Sequence, residues 1–541
     1  MKVLILGGYG VFGERLARLL VRDGHEVTVA GRSLEKAESL ASDIGCLAAR
    51  VDRSGPLDCI ADFDVVVDAA GPFHAYGQDP YRVARSAILQ GTHYLDLCDD
   101  TDFCLGISEL DEHARLAGVC VLSGLSSVPA LSSAAVAALA AGDRPEMIET
   151  AILPGNRSPR GLSVMQSILS QAGRPFSVWR GGDWIQSHGW SDPKSYRLPK
   201  GVVRQGWQIA VPDHRLFPAH FNADTVLFRA GLELAVMRYG LAAFALLRRV
   251  FPFAVSLPLV KVFKRAADLL EPFGTGSGGM SVMVVAGGER RYWRLLAEEG
   301  DGPFIPAISA RALLRRKSLP SGAAPALGAV SLQEAEAAMD GLKTTTEIVR
   351  EPVVPAFRKV LREAFDRLPP EIRETHETIG VSRWAGKADV ERGKGIFPRL
   401  IAFVMRFPAQ GAGVDVEVTK SADETGETWE RRFGANRFHS HLSPTDRGMT
   451  ERFGLMTFRL GLHVNDGSLH FPVTSGRIGV LPIPAFLLPR SEAREYVEEG
   501  RFHFDVALKA PVSGHLIIRY RGHLSRAPAG ISLRPPIAKS P

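Results

Sequence analysis

Cysteine is scarce: five residues, Cys46, Cys59, Cys98, Cys104 and Cys120, all lie in the first 120 positions, with no CxxC pair and no regular spacing. That pattern excludes a disulfide framework and predicts reduced thiols in a cytoplasmic protein. Charge of one sign is not concentrated either. Lys and Arg outnumber Asp and Glu by 65 to 59, a net +6 spread along the chain, which argues against nucleic acid as a partner and leaves anionic cofactors and membranes open. The apolar start, Met1 to Gly7, is short and is consumed by a strand, so secretion is not expected. The most lipophilic stretch, Leu241 to Phe263, is broken by Arg248, Arg249, Pro252, Pro258 and Lys261 and is not expected to cross a bilayer. It reads as a pair of buried helices or, alternatively, as an apolar surface that rests on lipid or receives a greasy substrate. The second reading is the ground for peripheral membrane contact through residues 241–263. No internal repeat is visible.

What is present begins with a nucleotide-binding βαβ unit. A strand over Lys2 to Leu6 runs into Gly8-Tyr9-Gly10-Val11-Phe12-Gly13, and a helical pattern with Leu16, Leu19 and Leu20 on one side leads to a second strand over His25 to Ala30. Gly8 is expected to allow the tight turn, Gly10 to let the backbone approach a pyrophosphate, and Gly13 to let helix and strands pack closely. The helix N-terminus then faces the negative charge. At the end of the second strand an NAD enzyme places Asp or Glu; here Ala30 and Gly31 are followed by Arg32, Ser33 and Lys36. With no carboxylate to repel a 2′-phosphate and an Arg fork to hold it, the cofactor expected is NADP. The alternative reading of Arg32 is a solvated neighbour of a helix cap.

At 541 residues the chain is expected to hold two or three domains. Strand-like runs at Leu47–Val51, Val65–Ala69, His93–Leu97 and Val119–Leu122 alternate with helical segments, predicting an α/β Rossmann-type, doubly wound parallel sheet over 1–130. Its ligand rim is expected at the carboxyl ends of the strands: Asp52, Ala69 to Phe73, Asp96 to Asp99, and Gly124 to Pro129. An Ala-rich helix, Trp-rich loops, the apolar stretch and a strand over Ser281–Ala286 suggest an α+β substrate and dimerisation domain over 131–350. Beyond Arg350-Glu351-Pro352, a helix through Phe357, Val360, Leu361, Ala364, Phe365 and Leu368 is expected to stop at Pro369-Pro370. Short alternating runs at 414–419, 457–464, 468–473, 502–508 and 515–520, with a hairpin turn at Asn465-Asp466-Gly467, predict a mainly antiparallel β domain over 351–524, barrel or sandwich. Residues 525–541, rich in Pro, Ser and Ala, read as a disordered tail.

The pieces Leu6–Gly13, Val29–Ser33, Asp64–Phe73, Gly91–Leu97 and Asp301–Pro306 make the first 350 or so residues resemble the saccharopine-dehydrogenase-like reductase family. The resemblance implies an NADP-type dinucleotide domain, an inserted domain for substrate and homodimer contacts, and cofactor contacts at Gly8, Gly10, Gly13, Arg32 and the turn Ala70, Gly71, Pro72, Phe73. The chain from about residue 352 resembles a domain of unknown function fused behind such reductases, through Asp366–His376, Glu427–Gly434, Glu451–Gly454, Gly500–Val506 and Arg519–Leu524. Ser126 stands where many relatives carry Asp in the Gly124–Pro129 turn, so no catalytic role is carried over to it. No lysine or glutamate chemistry is visible, and the branch of the family acting on polyketide or other lipid double bonds fits the apolar middle.

Hydride transfer needs a proton donor beside the nicotinamide. His74 and Tyr76, after the Gly71-Pro72-Phe73 turn, are the catalytic candidates; Tyr94 and Asp96 flank the next strand end. Residues of each kind at such positions are more often packing or hydrogen-bonding residues. Tyr196 and Lys200 have Tyr-x-x-x-Lys spacing, but Pro199 argues against the helix that spacing requires. His439 and His441 would share one face of a strand, as a metal pair or as a solvated face, with no third ligand identifiable, so no metal is assigned. Trp429, Glu430, Arg431, Arg432 and the Arg519, Arg521 pair could bind an acidic head group or form cross-strand ion pairs. The function expected is an NADP(H)-dependent oxidoreductase acting on a small apolar molecule or lipid. The competing class is a non-enzymatic NADP-binding or lipid-handling protein.

Overall fold

The computed structural model describes residues 1–394, 407–511 and 513–527. They form two compact units, residues 1–180 with 184–350, and residues 181–183 with 351–527.

In the first unit, strands β1 (Lys2–Leu6), β2 (Glu26–Gly31), β3 (Leu47–Arg50), β4 (Val65–Asp68), β5 (His93–Asp96) and β6 (Cys120–Ser123) lie in the order β6-β5-β4-β1-β2-β3. All pair in parallel; Leu4, for example, sits opposite both Thr28 and Val66. Runs such as Val3 to Leu6 and Val65 to Asp68 are buried on both faces, as a parallel sheet covered by helices requires. Helix α1 (Val11–Arg22) buries Leu16, Ala17, Leu19 and Leu20. Helix α2 (Leu34–Ile44) starts on a Ser33 cap and stops at Gly45, whose φ of +74° closes it. The doubly wound sheet is as expected, but it extends past residues 1–130: Gly322–Pro325 adds a seventh parallel strand beside β6.

A second, mixed sheet runs in the order Ser191–Arg197, Val203–Gln208, Thr225–Gly231, Met147–Leu153, Gly278–Ala286, Glu289–Ala297, Thr344–Pro352. The apolar stretch becomes parts of two helices, Ala235–Val250 and Leu257–Leu270. They are not buried all round. Leu241, Ala245, Val260 and Ala267 face inward, while Val236, Leu246, Val250, Phe251, Leu257 and Val262 are exposed. Arg248 can sit inside this stretch because its guanidinium donates to the carbonyls of Leu169, Ser170 and Ala172.

The second unit is a barrel. Strands 381–392, 411–422, 427–433, 436–445, 448–453 and 456–460 pair successively as antiparallel neighbours, and on the other side 381–392 pairs with 516–526, followed by 501–509 and 490–498. The two edges meet in one stretch of chain. Ser468–His470 pairs with the 490–498 strand and Val473–Ile478 with 456–460, while between them the Phe471 N–H donates to the Ala493 carbonyl and the Gly461 N–H to the Pro472 carbonyl. Closure through residues 468–478 removes the exposed edges that an open sheet would present. Of the two expected alternatives, barrel is the one formed.

The Asn465-Asp466-Gly467 turn is where it was expected, with positive φ at Asp466 and Gly467. The helix expected through Leu368 instead ends at Leu361; Arg362, at φ +51°, breaks it, a 3₁₀ helix follows over Arg362–Arg367, and Pro370 opens the next α-helix rather than only stopping one. Phe357 from the first of these short helices lies 5.8 Å from Trp429 and 6.0 Å from Phe471, ring centre to ring centre. Those two rings come from separate points around the barrel, so the helical segment plugs one end. The final strand continues through Arg526, two residues into the expected tail, and positions 528–541 lie outside the described residues.

Candidate functional site

The order of the first sheet reverses between β1 and β4, and a crevice at the carboxyl ends of these two strands is where a doubly wound sheet holds its ligand. The glycine loop after β1 forms one wall. Gly7, not Gly8, makes the tight turn: it has φ +70°, and a Cβ on it would lie 2.5 Å from Ala70 Cα. Gly8 is required by contact instead, since its Cβ would meet the Ile5 carbonyl and Val29 Cβ, both at 2.9 Å. At Gly13 a Cβ would lie 2.4 Å from the Gly7 carbonyl, so α1 can approach the loop only without a side chain there. Gly10 precedes α1 with no side-chain cap, which leaves the amides of Val11, Phe12 and Gly13 facing the crevice for a phosphate.

At the far end of the crevice the Tyr9 ring lies over Gly31, where a Cβ would come within 2.5 Å of it, and its hydroxyl accepts a hydrogen bond from the Ser33 N–H at 3.1 Å. Arg32 is exposed and makes no ion pair among the described residues. Asp52 is exposed too and accepts from the Ser54 N–H, which fixes a turn after β3. The opposite wall is the Ala70–Phe73 turn, in which Ala70 is exposed, Gly71 and Pro72 are half-buried, and Phe73 packs inward against Tyr76 and Phe103. The residues present fit a dinucleotide: an open helix N-terminus, glycines that admit a close backbone approach, and an uncommitted cation at the end of β2.

The two catalytic candidates differ in placement. His74 is exposed at the rim. Tyr76 donates its hydroxyl to Asp68 Oδ1 at 3.1 Å, and the Arg53 guanidinium lies 3.2 Å from the centre of its ring. Burial and then the Asp68 charge hold this phenol well above its ordinary pKa. Tyr76 and Arg53, both half-buried, thus form a cluster on the fully buried Asp68. Asp68 and Asp96 stand side by side at the ends of β4 and β5, both fully buried. Burial raises Asp68, and it pushes Asp96 up to about 7 although Oδ1 accepts from the Cys98 and Gly124 amides and the Ser123 hydroxyl. Tyr94 is a core residue.

A cavity of about 500 Å³ opens beside the crevice. Phe12 of the glycine loop, Asp99, Ser127 and Val128 form one side, and Met165 and Ile168 of helix Leu162–Gln171 with Leu241 and Phe263 of the apolar helices form another. Arg160 is one of few charged groups in a mainly apolar wall. Sequence reasoning marked Asp99 only as part of a rim and did not find Gly7, Arg53 or Asp68. The Gly7-Gly8 pair and a single Asp closing an apolar strand were the signals available.

Other candidates resolve locally. Tyr196 bonds to Glu149, while Lys200 pairs with Glu298, so the two are not brought together. His441 bonds to Thr425 and Thr428, and His439 is exposed. Glu430 pairs with Arg437 and Arg432 with Glu417 across neighbouring strands, as does Arg519 with Asp505, whereas Trp429 and Arg431 point into the barrel.

The comparisons agree with this division. Residues 3–122 match the saccharopine dehydrogenase NADP binding domain family. Residues 368–524 match the domain of unknown function DUF4166. The resemblance read from the sequence therefore holds over residues 3–122 and 368–524, and the first match supports an NAD(P)-dependent oxidoreductase as the class of the protein. No curated protein matches the chain. Among solved structures, the apo saccharopine dehydrogenase (L-Glu forming) of Saccharomyces cerevisiae is 15% identical, with a TM-score of 0.45 over 64% of this chain and 99% of that one. A Gfo/Idh/MocA family oxidoreductase from Vibrio cholerae is 11% identical, with a TM-score of 0.25 over 56% of this chain and 79% of its own. BdcA of E. coli is 21% identical, with a TM-score of 0.19 over 23% and 81%.

Proposed function

We propose that the protein is an NADP(H)-dependent oxidoreductase acting on a small, apolar, lipid-like molecule. The observation that carries this reading is that Phe12 belongs both to the dinucleotide loop and to the wall of the 500 Å³ apolar cavity, so substrate and cofactor sites adjoin. A nicotinamide cofactor supplies or accepts a hydride there. The α1 amides bind its phosphates, Arg32 selects the 2′-phosphate, and the apolar helices exclude water from the substrate. Tyr76 is spent on Asp68, which leaves Asp99 on the cavity wall and His74 at the rim as the groups able to move a proton; the two are near enough to interact electrostatically.

The test is a fluorescence titration with NADPH and NADH, followed by stopped-flow oxidation against a lipid extract. Tighter NADPH binding with extract-dependent oxidation supports the reading. Binding without oxidation would favour a structural or regulatory nucleotide, the reading to which the commitment of Tyr76 gives weight.

No helix among the described residues is long and apolar enough to cross a membrane. The outward face of helices 235–250 and 257–270, with exposed Val236, Leu246, Val250 and Val262 beside Arg249 and Lys261, is proposed to rest on an anionic lipid surface. Leu246→Asp with Val250→Asp should abolish flotation with phosphatidylserine vesicles; unchanged flotation would overturn the proposal. Homodimerisation through the 131–350 region is tested by sedimentation.

A further inference from the structure

The barrel of the second unit encloses a cavity of about 520 Å³, within the range of small-molecule sites. Its wall is apolar and aromatic, with Trp384, Val418, Phe433, Phe458, Phe504 and Leu508 among the lining residues. Neither the dinucleotide site nor the cavity beside it involves any of them. The strand registers distinguish the two ends. The turns at 422–427, 445–448 and 498–501 lie at the end plugged by the 356–376 helices, and those at 453–456, 478–490 and 509–516 lie at the opposite end.

Polar groups are concentrated toward the plugged end. Lys420 is 2% exposed; its ammonium donates to the Thr375 carbonyl at 2.6 Å and lies 4.0 Å from the centre of the Trp429 ring. Arg431, on the neighbouring strand and also in the wall, donates to Ser440 Oγ at 2.7 Å and to Glu451 at 3.2 Å. Glu495, the remaining acid of the wall, is bound to His376 at 2.5 Å. Arg494 is exposed and stacks on Tyr496, so the inward charges are Lys420 and Arg431 with Glu451 and Glu495; Arg431 pairs with Glu451 and Glu495 with His376, while Lys420 makes no ion pair among the described residues. A buried ammonium in an apolar chamber is costly unless an anion offsets it.

The opposite end carries a different feature. Residues 479–489 read Gly-Val-Leu-Pro-Ile-Pro-Ala-Phe-Leu-Leu-Pro, and Val480, Leu481 and Phe486 are 90%, 70% and 67% exposed. Ile483 and Leu487 of the same loop line the cavity. An apolar loop that is at once solvent-facing and part of the cavity wall is a doorway for a greasy molecule.

We infer that this barrel binds a single-chain anionic amphiphile, a long-chain carboxylate, with its head at Lys420 and Arg431 beside the plug and its apolar chain running toward the 479–489 loop. The site is separate from the dinucleotide crevice, so the inference goes beyond the oxidoreductase reading and does not depend on it.

The experiment is calorimetric titration of the full chain, without nucleotide, with oleate and with methyl oleate at pH 7, where Lys420, held down to about 8 by burial, is still charged. Wild type is expected to bind oleate more tightly than the ester. Lys420→Met should weaken oleate about tenfold or more, the scale of a lost charge-assisted contact, and leave the ester unchanged. Val418→Trp with Leu508→Trp, filling the barrel, should remove one equivalent of oleate, which separates this site from the cavity of the first unit. No oleate binding, an unchanged stoichiometry in a folded filled variant, or equal effects of Lys420→Met on acid and ester would overturn the inference. The wild-type and Lys420→Met titrations decide it even if the filled variant does not fold. Failure here leaves the oxidoreductase reading standing, because no cofactor enters the measurement.

Discussion

Arg32 owes its leverage to having no partner among the described residues while sitting at the end of β2, where a 2′-phosphate is distinguished from a hydroxyl. Arg32→Ala should weaken NADPH about tenfold or more and leave NADH unchanged, as paired fluorescence titrations would show. Asp96 makes a different prediction. Its folded pKa of about 7 lies above the ordinary carboxylate value, so its contribution to stability is complete below about pH 4 and is lost as pH rises through 7. Asp96→Asn keeps an acceptor for the Ser123 and Gly124 donors and puts its NH₂ where Oδ2 has no partner. The variant should gain melting temperature over wild type at pH 8 and show a smaller gain at pH 5, measured by calorimetry. The sequence places Asp96 at a strand end, among the residues weighed as proton donor, but does not show its burial, because burial depends on what packs above it.

At the scale of elements, the glycine loop and α1 act as one piece. Gly13→Ala places a Cβ 2.4 Å from the Gly7 carbonyl, backbone that cannot swing aside, and should cost about 1–3 kcal/mol with loss of NADPH affinity. Thermal melts with and without NADPH check both effects. This loop was legible because its constraints are local: a strand, a turn and a helix within about a dozen residues in line with the dinucleotide fingerprint. The assignment of the turn to Gly8 missed by one residue, since two adjacent glycines look alike until φ is known. The apolar helices were legible as helices but not as a one-sided wall. Hydrophobicity says how much surface wants cover, and only packing says which side receives it.

For the whole molecule, two units with separate cores follow from the clusters around β1–β6 and the mixed sheet on one hand and around Phe357, Trp384 and Trp429 on the other. A ligand stabilises only the unit that binds it. Scanning calorimetry should therefore resolve two transitions, with NADPH raising one and oleate the other; a single transition raised equally by both would contradict independent cores.

The sequence by itself determined what short-range periodicity can carry: the βαβ unit, the missing acid and the Arg at the end of β2, and the alternating strands and the Asn465-Asp466-Gly467 turn of the C-terminal domain. Tertiary structure alone decided which distant strands pair. Gly322–Pro325 joins the first sheet, residues 468–478 close the barrel, and the inward face of its strands puts Lys420 and Arg431 in an apolar chamber while Glu430 and Arg432 turn out to solvent-side ion pairs. The reason is that a strand's pattern specifies two faces but not the neighbour, and closure and burial are properties of the pairing.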